Sequence, residues 1–318
     1  MGTALARIQD VLVGERYDAA RRKIWETFRA LLHRPLGAVG LAIIVLFLFI
    51  AIFAPFIAGP VPQYSPPVNL GPRNSGPFPG FPLGTDQTGR SNFALLMYGA
   101  RISLIVGLAA SAVATVAGTL VGISAGYYGG FTDKSLSWFT NFFLVIPWLP
   151  FVLVVAALIR EIPDEVLLIP PEERGFIGTI ISISLVSWPT TARVVRAKVL
   201  SVKTLGYVQR ARAIGAGDRH IMVRHIAPVL LPLIFANVIL TVSSAIWTES
   251  FLAFFGLSDP SQPSWGSMIE SSWRAGDFLI GRYWAFLPPG ICITALVLAF
   301  TMLSRELEEL LNPKLKQR

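Results

Sequence analysis

The residue types that carry most enzyme chemistry are scarce in this sequence. Its 318 residues include three histidines and one cysteine, too few and too unevenly spaced to hold a metal ion: His33, His220, His225 and Cys292. A metal cage needs several such ligands close together and a disulfide needs a second thiol, so neither is predicted. The sequence also has no nucleophile elbow and no H-E-x-x-H zinc helix.

A phosphate-binding loop is missing as well. The nearest candidate, GTDQTGR at 84–90, lacks the lysine of the G-x-x-x-x-G-K-[ST] pattern and follows no strand. We therefore expect no ATPase activity in this chain. Uphill transport by the protein would need energy from another subunit.

The composition indicates a membrane protein. Hydrophobic residues make up 53% of the chain, charged residues 14%, and the mean hydropathy is +0.59. A helix needs about 20 apolar residues to cross the roughly 30 Å hydrocarbon core. Six stretches satisfy this without an interior Lys or Arg, at residues 36–58, 102–125, 137–159, 175–192, 227–249 and 284–304. The predicted fold class is all-α, a polytopic membrane protein with six transmembrane helices.

The distribution of charge predicts the orientation of the chain. With residue 1 in the cytoplasm, the inside segments hold 20 Lys and Arg against 9 Asp and Glu, and the outside segments hold 7 against 10. This positive-inside bias places both termini in the cytoplasm. It also accounts for the net charge of +8, so the predicted partner is a lipid bilayer and not a nucleic acid.

The first span is predicted to be an uncleaved anchor, because its apolar run is too long for a cleaved signal peptide. The remaining organisation follows from the spans. The predicted segments are a cytoplasmic N-terminal segment 1–35, a first transmembrane helix 36–58, an external Pro-rich loop with a short surface helix 59–101, a five-helix core 102–304 containing a cytoplasmic loop 193–226, and a cytoplasmic tail 305–318.

Small residues recur at three- and four-residue steps along the second span, from Gly107 to Gly122. Such steps allow close helix packing in lipid, so this span is predicted to be central, although Gly and Ala are common in membrane helices generally. Glu249, at the outer end of the fifth span, is the one acidic residue near a span interior, so ion coupling is not expected. Neutral polar and aromatic residues are the candidates for a translocation path, with helix–helix hydrogen bonding as the alternative: Asn141, Ser184, Trp188, Asn237 and Thr241.

The cytoplasmic loop 193–226 contains a predicted short helix. Residues 208–214 favour helix, Gly215 is suited to ending it, and Asp218 can cap a following helix that continues into Pro228 and the fifth span. Small side chains at its end would let another protein approach closely. A basic helix resting on anionic headgroups is the alternative interpretation.

At these residues the sequence resembles a known family. YVQRARAIGA…RHIAP is similar to the EAA loop of permease subunits of ABC-type importers, specifically the second permease of the dipeptide and oligopeptide group. Gln209 and Arg210 depart from the family's usual Glu and Ala. Other blocks that resemble the group are HRPLGAVGLAI (33–43), LGTDQTGRS (83–91), YGARISLIVG (98–107), GYYGGFTD (126–133), FFGLSDPSQPSWGSMI (254–269) and LNPK (311–314).

The resemblance implies a type I ABC importer permease fold in a bacterial or archaeal inner membrane. The implied partners are a homologous permease, two ABC ATPase subunits that hold ATP and Mg, and an external solute-binding protein, with no cofactor on this chain. The implied cargo is peptide, with oligosaccharide or nickel as alternatives and a membrane enzyme or channel as a rival class. The ATPase-coupling residues carried over from the family pattern are Tyr207, Val208, Gln209, Ala211, Ala213, Gly215, Ala216, Asp218, His225 and Pro228.

The external segment after the fifth span is aromatic and broken by Gly and Pro. It is predicted to form part of an outer gate or a contact with the binding protein, and an interfacial aromatic belt is the alternative. The candidate residues are Phe254, Phe255, Pro263 and Trp265. A second external segment, 160–175, is unusually acidic. It either shapes docking of the binding protein, favours a cationic solute, or is a solvated linker.

Overall fold

The computed structural model describes residues 29–59, 71–162, 171–259 and 262–311. These residues are mostly helical, with two isolated β-bridges and no strand. We number the helices α1 Pro35–Ala58, α2 Asn92–Tyr128, α3 Gly130–Val145, α4 Trp148–Glu161, α5 Pro171–Val202, α6 Gly206–Ala213, α7 Asp218–Ile221, α8 Ala227–Phe254, α9 Trp265–Arg274 and α10 Tyr283–Leu311. A π-helical turn, Met222–Ile226, joins α7 directly to α8.

Five helical segments of the described chain are long and apolar enough to cross a membrane, namely α1, α2, α5, α10 and the continuous helix Asp218–Phe254. The pair α3 and α4 passes the same test together but is bent by 95°. The bend falls at Ile146, which adopts an extended conformation because it precedes Pro147. The protein is therefore an all-α polytopic membrane protein, and its third predicted span is a broken helix.

Helix α2 lies at the centre of the bundle, as the spacing of its small residues predicts. A Cβ on Gly118 would lie 2.5 Å from the Trp188 carbonyl oxygen, and one on Gly122 would lie 2.6 Å from the Ala192 carbonyl oxygen. Both oxygens belong to α5. The backbones of α2 and α5 thus pack directly against each other, which gives dispersion contacts that lipid chains cannot match.

Several predicted boundaries are wrong. The external loop does not end in a separate surface helix, because the helix that begins at Asn92 continues without a break to Tyr128. Leu95, Leu96 and Ala100 are buried in the hydrophobic core instead of lying on a membrane surface. The fourth span likewise extends as helix to Val202, so the first ten residues of the predicted loop 193–226 belong to α5.

The two ends of the described chain meet. Arg34, just before α1, donates to Glu306 at 2.6 Å and to Glu309 at 2.9 Å near the end of α10. The hydrogen bond to Glu306, with a smaller contribution from Glu309, raises the pKa of the Arg34 guanidinium above its ordinary value. The ion pairs fix the start of α1 and the end of α10 on the same side of the bundle.

The motif at 84–90 forms a closed turn before α2. The Asp86 carboxylate accepts hydrogen bonds from the backbone N–H groups of Thr88 and Arg90, at 2.8 and 2.9 Å, and from the Arg90 side chain at 2.7 Å. Predictions for residues 1–28, 60–70, 163–170, 260–261 and 312–318 lie outside the described part of the chain.

Candidate functional site

The loop between α5 and α8 is built around the short helix α6, which ends as its glycine predicts. Gly215 has φ +86°, and the backbone N–H of Ala216 donates to the Ala211 carbonyl at 3.0 Å, while that of Gly215 donates to the Arg212 carbonyl at 3.0 Å. This pair of hydrogen bonds is the Schellman arrangement, which needs a left-handed residue at the position of Gly215. The chain therefore turns sharply away immediately after α6.

One side of α6 is buried against the membrane-crossing helices. Val208 and Ala211 join a hydrophobic cluster with residues of α5, α7, the π-helical turn and α8, which are Val195, Val199, Val202, Ile221, Ile226 and Leu230. Burial of Val208 and Ala211 in this cluster fixes α6 to the end of α5 and the start of α8. A force applied to α6 would therefore reach α5 and α8.

The other side of α6 is open and carries little bulk. Ala213 and Gly215 are exposed, and between them the Ile214 side chain is 85% exposed. Ile214 lies within the docking surface 211–216 that the family resemblance implies, but the sequence did not single it out, although its place between two small residues was a usable signal. An isolated apolar side chain on a surface of small residues and backbone can enter a pocket on another protein.

Asp218 does not cap α7, contrary to the sequence prediction. The N-cap position belongs to Gly217, and the Asp218 carboxylate instead accepts a 2.6 Å hydrogen bond from the hydroxyl of Tyr127 at the end of α2. The Arg212 guanidinium lies 5.3 Å from the centre of the Tyr127 ring. Tyr127 and, more weakly, Asp218 raise the pKa of Arg212 above its ordinary value.

The other loop residues predicted for ATPase coupling lie around α6 and the hydrogen bond between Tyr127 and Asp218. The Gln209 amide donates to the Lys203 carbonyl at 2.9 Å, a bond that a glutamate at that position would not make. Tyr207 is partly exposed, with its hydroxyl 3.5 Å from the backbone oxygen of His225. Pro228 lies in the first turn of α8, directly after the π-helical turn that makes α8 continuous with α7. Ala216 packs against the buried cluster.

All five candidate path residues make contacts with residues of the described helices. The Ser184 hydroxyl is 3.1 Å from the Ala110 carbonyl, and the Asn237 amide donates to Thr191 at 2.8 Å. Trp188 is buried with its ring 5.7 Å from that of Phe139, and the Thr241 hydroxyl donates to the Asn237 carbonyl. Asn141 is exposed and accepts a hydrogen bond from Arg193 at 2.9 Å. Their role in a path remains a prediction.

In the segment predicted to be external, Trp265 is fully buried. Its ring nitrogen donates to the Leu96 carbonyl of α2 at 3.0 Å, and its ring meets Phe47 edge-on at 5.3 Å. A residue with no accessible surface has nothing for a binding protein to touch in this conformation. Phe255 is exposed, and Phe254 packs near Trp273 at 6.3 Å between ring centres, while Pro263 is half-buried.

The comparisons with known proteins cover nearly the whole chain. Residues 118–317 match a family described as binding-protein-dependent transport system inner membrane component, and residues 24–77 match the N-terminal transmembrane domain of oligopeptide transport permease C. The chain is 33% identical over 292 residues to a dipeptide transport system permease protein of Alkalihalophilus pseudofirmus, covering 92% of this chain and 90% of that protein.

Two further relatives have similar coverage. An oligopeptide transport system permease protein of Bacillus subtilis is 34% identical over 89% of this chain and 87% of its own length. A di/tripeptide transport system permease protein of Pseudomonas aeruginosa is 30% identical over 94% of each chain.

Proposed function

The chain belongs to the family of binding-protein-dependent transport system inner membrane components, and from this membership we propose that it is a permease subunit of an ATP-driven peptide importer. It would form half of the transmembrane pathway, with a homologous permease as the other half. Two ABC ATPases on the cytoplasmic face and an external solute-binding protein would complete the transporter. ATP and Mg would be held by the ATPases, and both termini of this chain would be cytoplasmic.

The observation that carries the proposal is the two-sided character of α6. Val208 and Ala211 anchor it in the cluster that joins α5 to α8, while Ala213, Ile214 and Gly215 are exposed. Because α6 is fixed to two membrane-crossing helices and has small, exposed residues on its other side, a protein that binds there could move both helices. The relatives named above, which are peptide permeases, support the same function.

The mechanism follows from the connection of α6 to its neighbours. Closure of the ATPase dimer on ATP would displace α6. Because the π-helical turn makes Asp218–Phe254 one continuous helix, the displacement would reach α8 without an intervening flexible loop. The turn and Pro228 lie where α8 would pivot, and the two permeases would tilt between inward-open and outward-open states that nucleotide and cargo bias differently.

The function is tested by reconstitution. The complete transporter, with its binding protein, is placed in proteoliposomes and uptake of a radiolabelled Ala-Ala dipeptide is measured with ATP inside. We expect uptake that requires ATP and both ATPases, and none from this chain alone. Uptake by the purified chain alone would overturn the proposal, and an assembly with inactive ATPases is the matched control.

The cargo is tested separately. Calorimetry on the cognate binding protein compares Ala-Ala and tri-alanine with maltotriose and Ni²⁺. Binding of a peptide and not of the others is the expected result. Binding of the sugar or the metal alone would keep the importer and reassign its cargo.

A further inference from the structure

Helix α2 differs from the other long helices in its continuity. Its 37 residues contain no proline and span about 55 Å at about 1.5 Å per residue. The other crossings in the described chain each have an interior proline or a break, and those that flank α6 carry Pro189 in α5 and Pro232 in α8. Proline removes a backbone hydrogen bond and lets a helix bend there. Of these helices, α2 is therefore the one best suited to act as a stiff rod.

At its inner end, α2 is attached to the coupling loop although it is not continuous with it in sequence. The buried Tyr127 side chain donates to Asp218 at 2.6 Å and lies under Arg212 at 5.3 Å. Beside it, the Lys203 ammonium donates to the Gly126 carbonyl at 2.6 Å. Residues of α6, α7 and the link from α5 therefore all converge on the last turn of α2.

At its outer end, α2 also makes direct contacts, here with Trp265 and with α8. The Trp265 nitrogen donates to the Leu96 carbonyl, and the ring lies so close to Gly99 that a Cβ there would be 2.8 Å from it. One turn further along, the buried Ser103 hydroxyl donates to the Glu249 carboxylate of α8 at 3.0 Å. The aromatic segment of the outer side therefore cannot stay in place if α2 shifts.

We propose that Tyr127 is a positioning residue that ties the coupling loop to α2, so that displacement of the loop is carried along α2 to the Trp265-bearing segment outside. The inference rests on the proposed function, since it requires an ATPase acting on α6. It gives the loop a third, proline-free route across the membrane in addition to α5 and α8. It also explains why a tyrosine hydroxyl is held against a carboxylate at the surface of the loop.

The experiment compares Tyr127→Phe with Tyr128→Phe in the complete reconstituted transporter. Both changes remove one hydroxyl and keep the ring, and Tyr128 is 54% exposed beside Tyr127. A hydrogen bond to a charged group changes an equilibrium by about tenfold or more. We expect Tyr127→Phe to lower Ala-Ala uptake per ATP hydrolysed by several-fold to about tenfold at normal assembly and thermal stability, and Tyr128→Phe to match the unmodified protein.

A second readout follows the outer end directly. In a Cys292→Ala background, the Met97→Cys variant is labelled with an impermeant maleimide. The labelling rate reports on the packing of α2 near Trp265. We expect ATP and vanadate to change this rate several-fold, and Tyr127→Phe to remove most of that change. Asp218→Ala should act like Tyr127→Phe, and the double variant should be no worse than either single one.

The outcomes separate this inference from the proposed function. If Tyr127→Phe shows unaltered uptake per ATP and an unaltered labelling response while the unmodified transporter works, α2 is not tied to the loop through Tyr127 and the inference is wrong. Additive effects in the double variant would also contradict it. If the unmodified assembly shows no ATP-dependent uptake, the proposed function fails instead.

Discussion

At the scale of single residues, Ile214 is the side chain whose position most clearly suits docking. It is 85% exposed at the end of α6, between Ala213 and Gly215, so replacing it removes little packing within the fold. Ile214→Asp should weaken retention of the ATPases by at least about tenfold, as expected for an apolar anchor that enters a pocket. The measurement is co-purification of the ATPases with the permease in detergent.

The control for Ile214 is Leu279→Asp, a change of the same kind at a residue that is 91% exposed in a segment predicted to be external. It should leave ATPase retention unchanged. Equal losses in both variants would mean that the effect is one of membrane insertion. An unchanged Ile214→Asp complex would remove Ile214 from the docking surface.

Gly215 offers a test of backbone shape alone. Its φ is +86° and no atom lies within 4 Å of the position that a Cβ would occupy, so Gly215→Ala meets no steric clash and carries only the cost of a left-handed alanine, about 1 kcal/mol. We expect a corresponding several-fold loss of ATP-dependent uptake as the turn after α6 relaxes. Gly206→Ala is the matched control, because that glycine is also unobstructed but has no positive φ, and its uptake should equal that of the unmodified protein.

At the scale of the element, the packing of α2 on α5 makes a separate prediction. A Cβ on Gly122 would lie 2.6 Å from the Ala192 carbonyl and 2.8 Å from the Val195 Cβ, so neither helix can accept it without moving. Gly122→Ala should destabilise the protein by about 1–3 kcal/mol, the usual range for overpacking. The thermal unfolding midpoint in detergent should fall, whereas Gly290→Ala in α10, where nothing lies within 4 Å, should not lower it comparably.

The helices could be predicted from sequence where the pattern that indicates them lies within a single segment of the chain. Apolar runs and small-residue steps predict the crossings and the central place of α2, and Gly215 predicts the end of α6. The start of α2 was missed because 92–101 reads equally well as a surface helix; what buries it is Trp265, which is distant in sequence. The bond from Tyr127 to Asp218 was missed for the same reason, since no periodicity connects residues 91 positions apart.

At the scale of the whole molecule, the structure brings together parts that must lie on one side of the membrane. Arg34 pairs with Glu306, and the nearby Ser304 hydroxyl donates to the Ala236 carbonyl of α8 at 3.0 Å. The start of α1, the end of α10 and the first turns of α8 therefore lie on one side, together with the coupling loop. Whichever side the coupling loop faces, all of these parts face it too.

The charge balance predicts which side that is. With 20 Lys and Arg against 9 Asp and Glu on the side of the loop, and 7 against 10 on the other, the loop should be cytoplasmic. A green fluorescent protein fused after residue 318 should fluoresce, and alkaline phosphatase fused there should be inactive, whereas phosphatase inserted after Arg73 should be active. The opposite pattern would place α6 beyond the reach of any ATPase, so neither Ile214 nor Tyr127 could act as argued above.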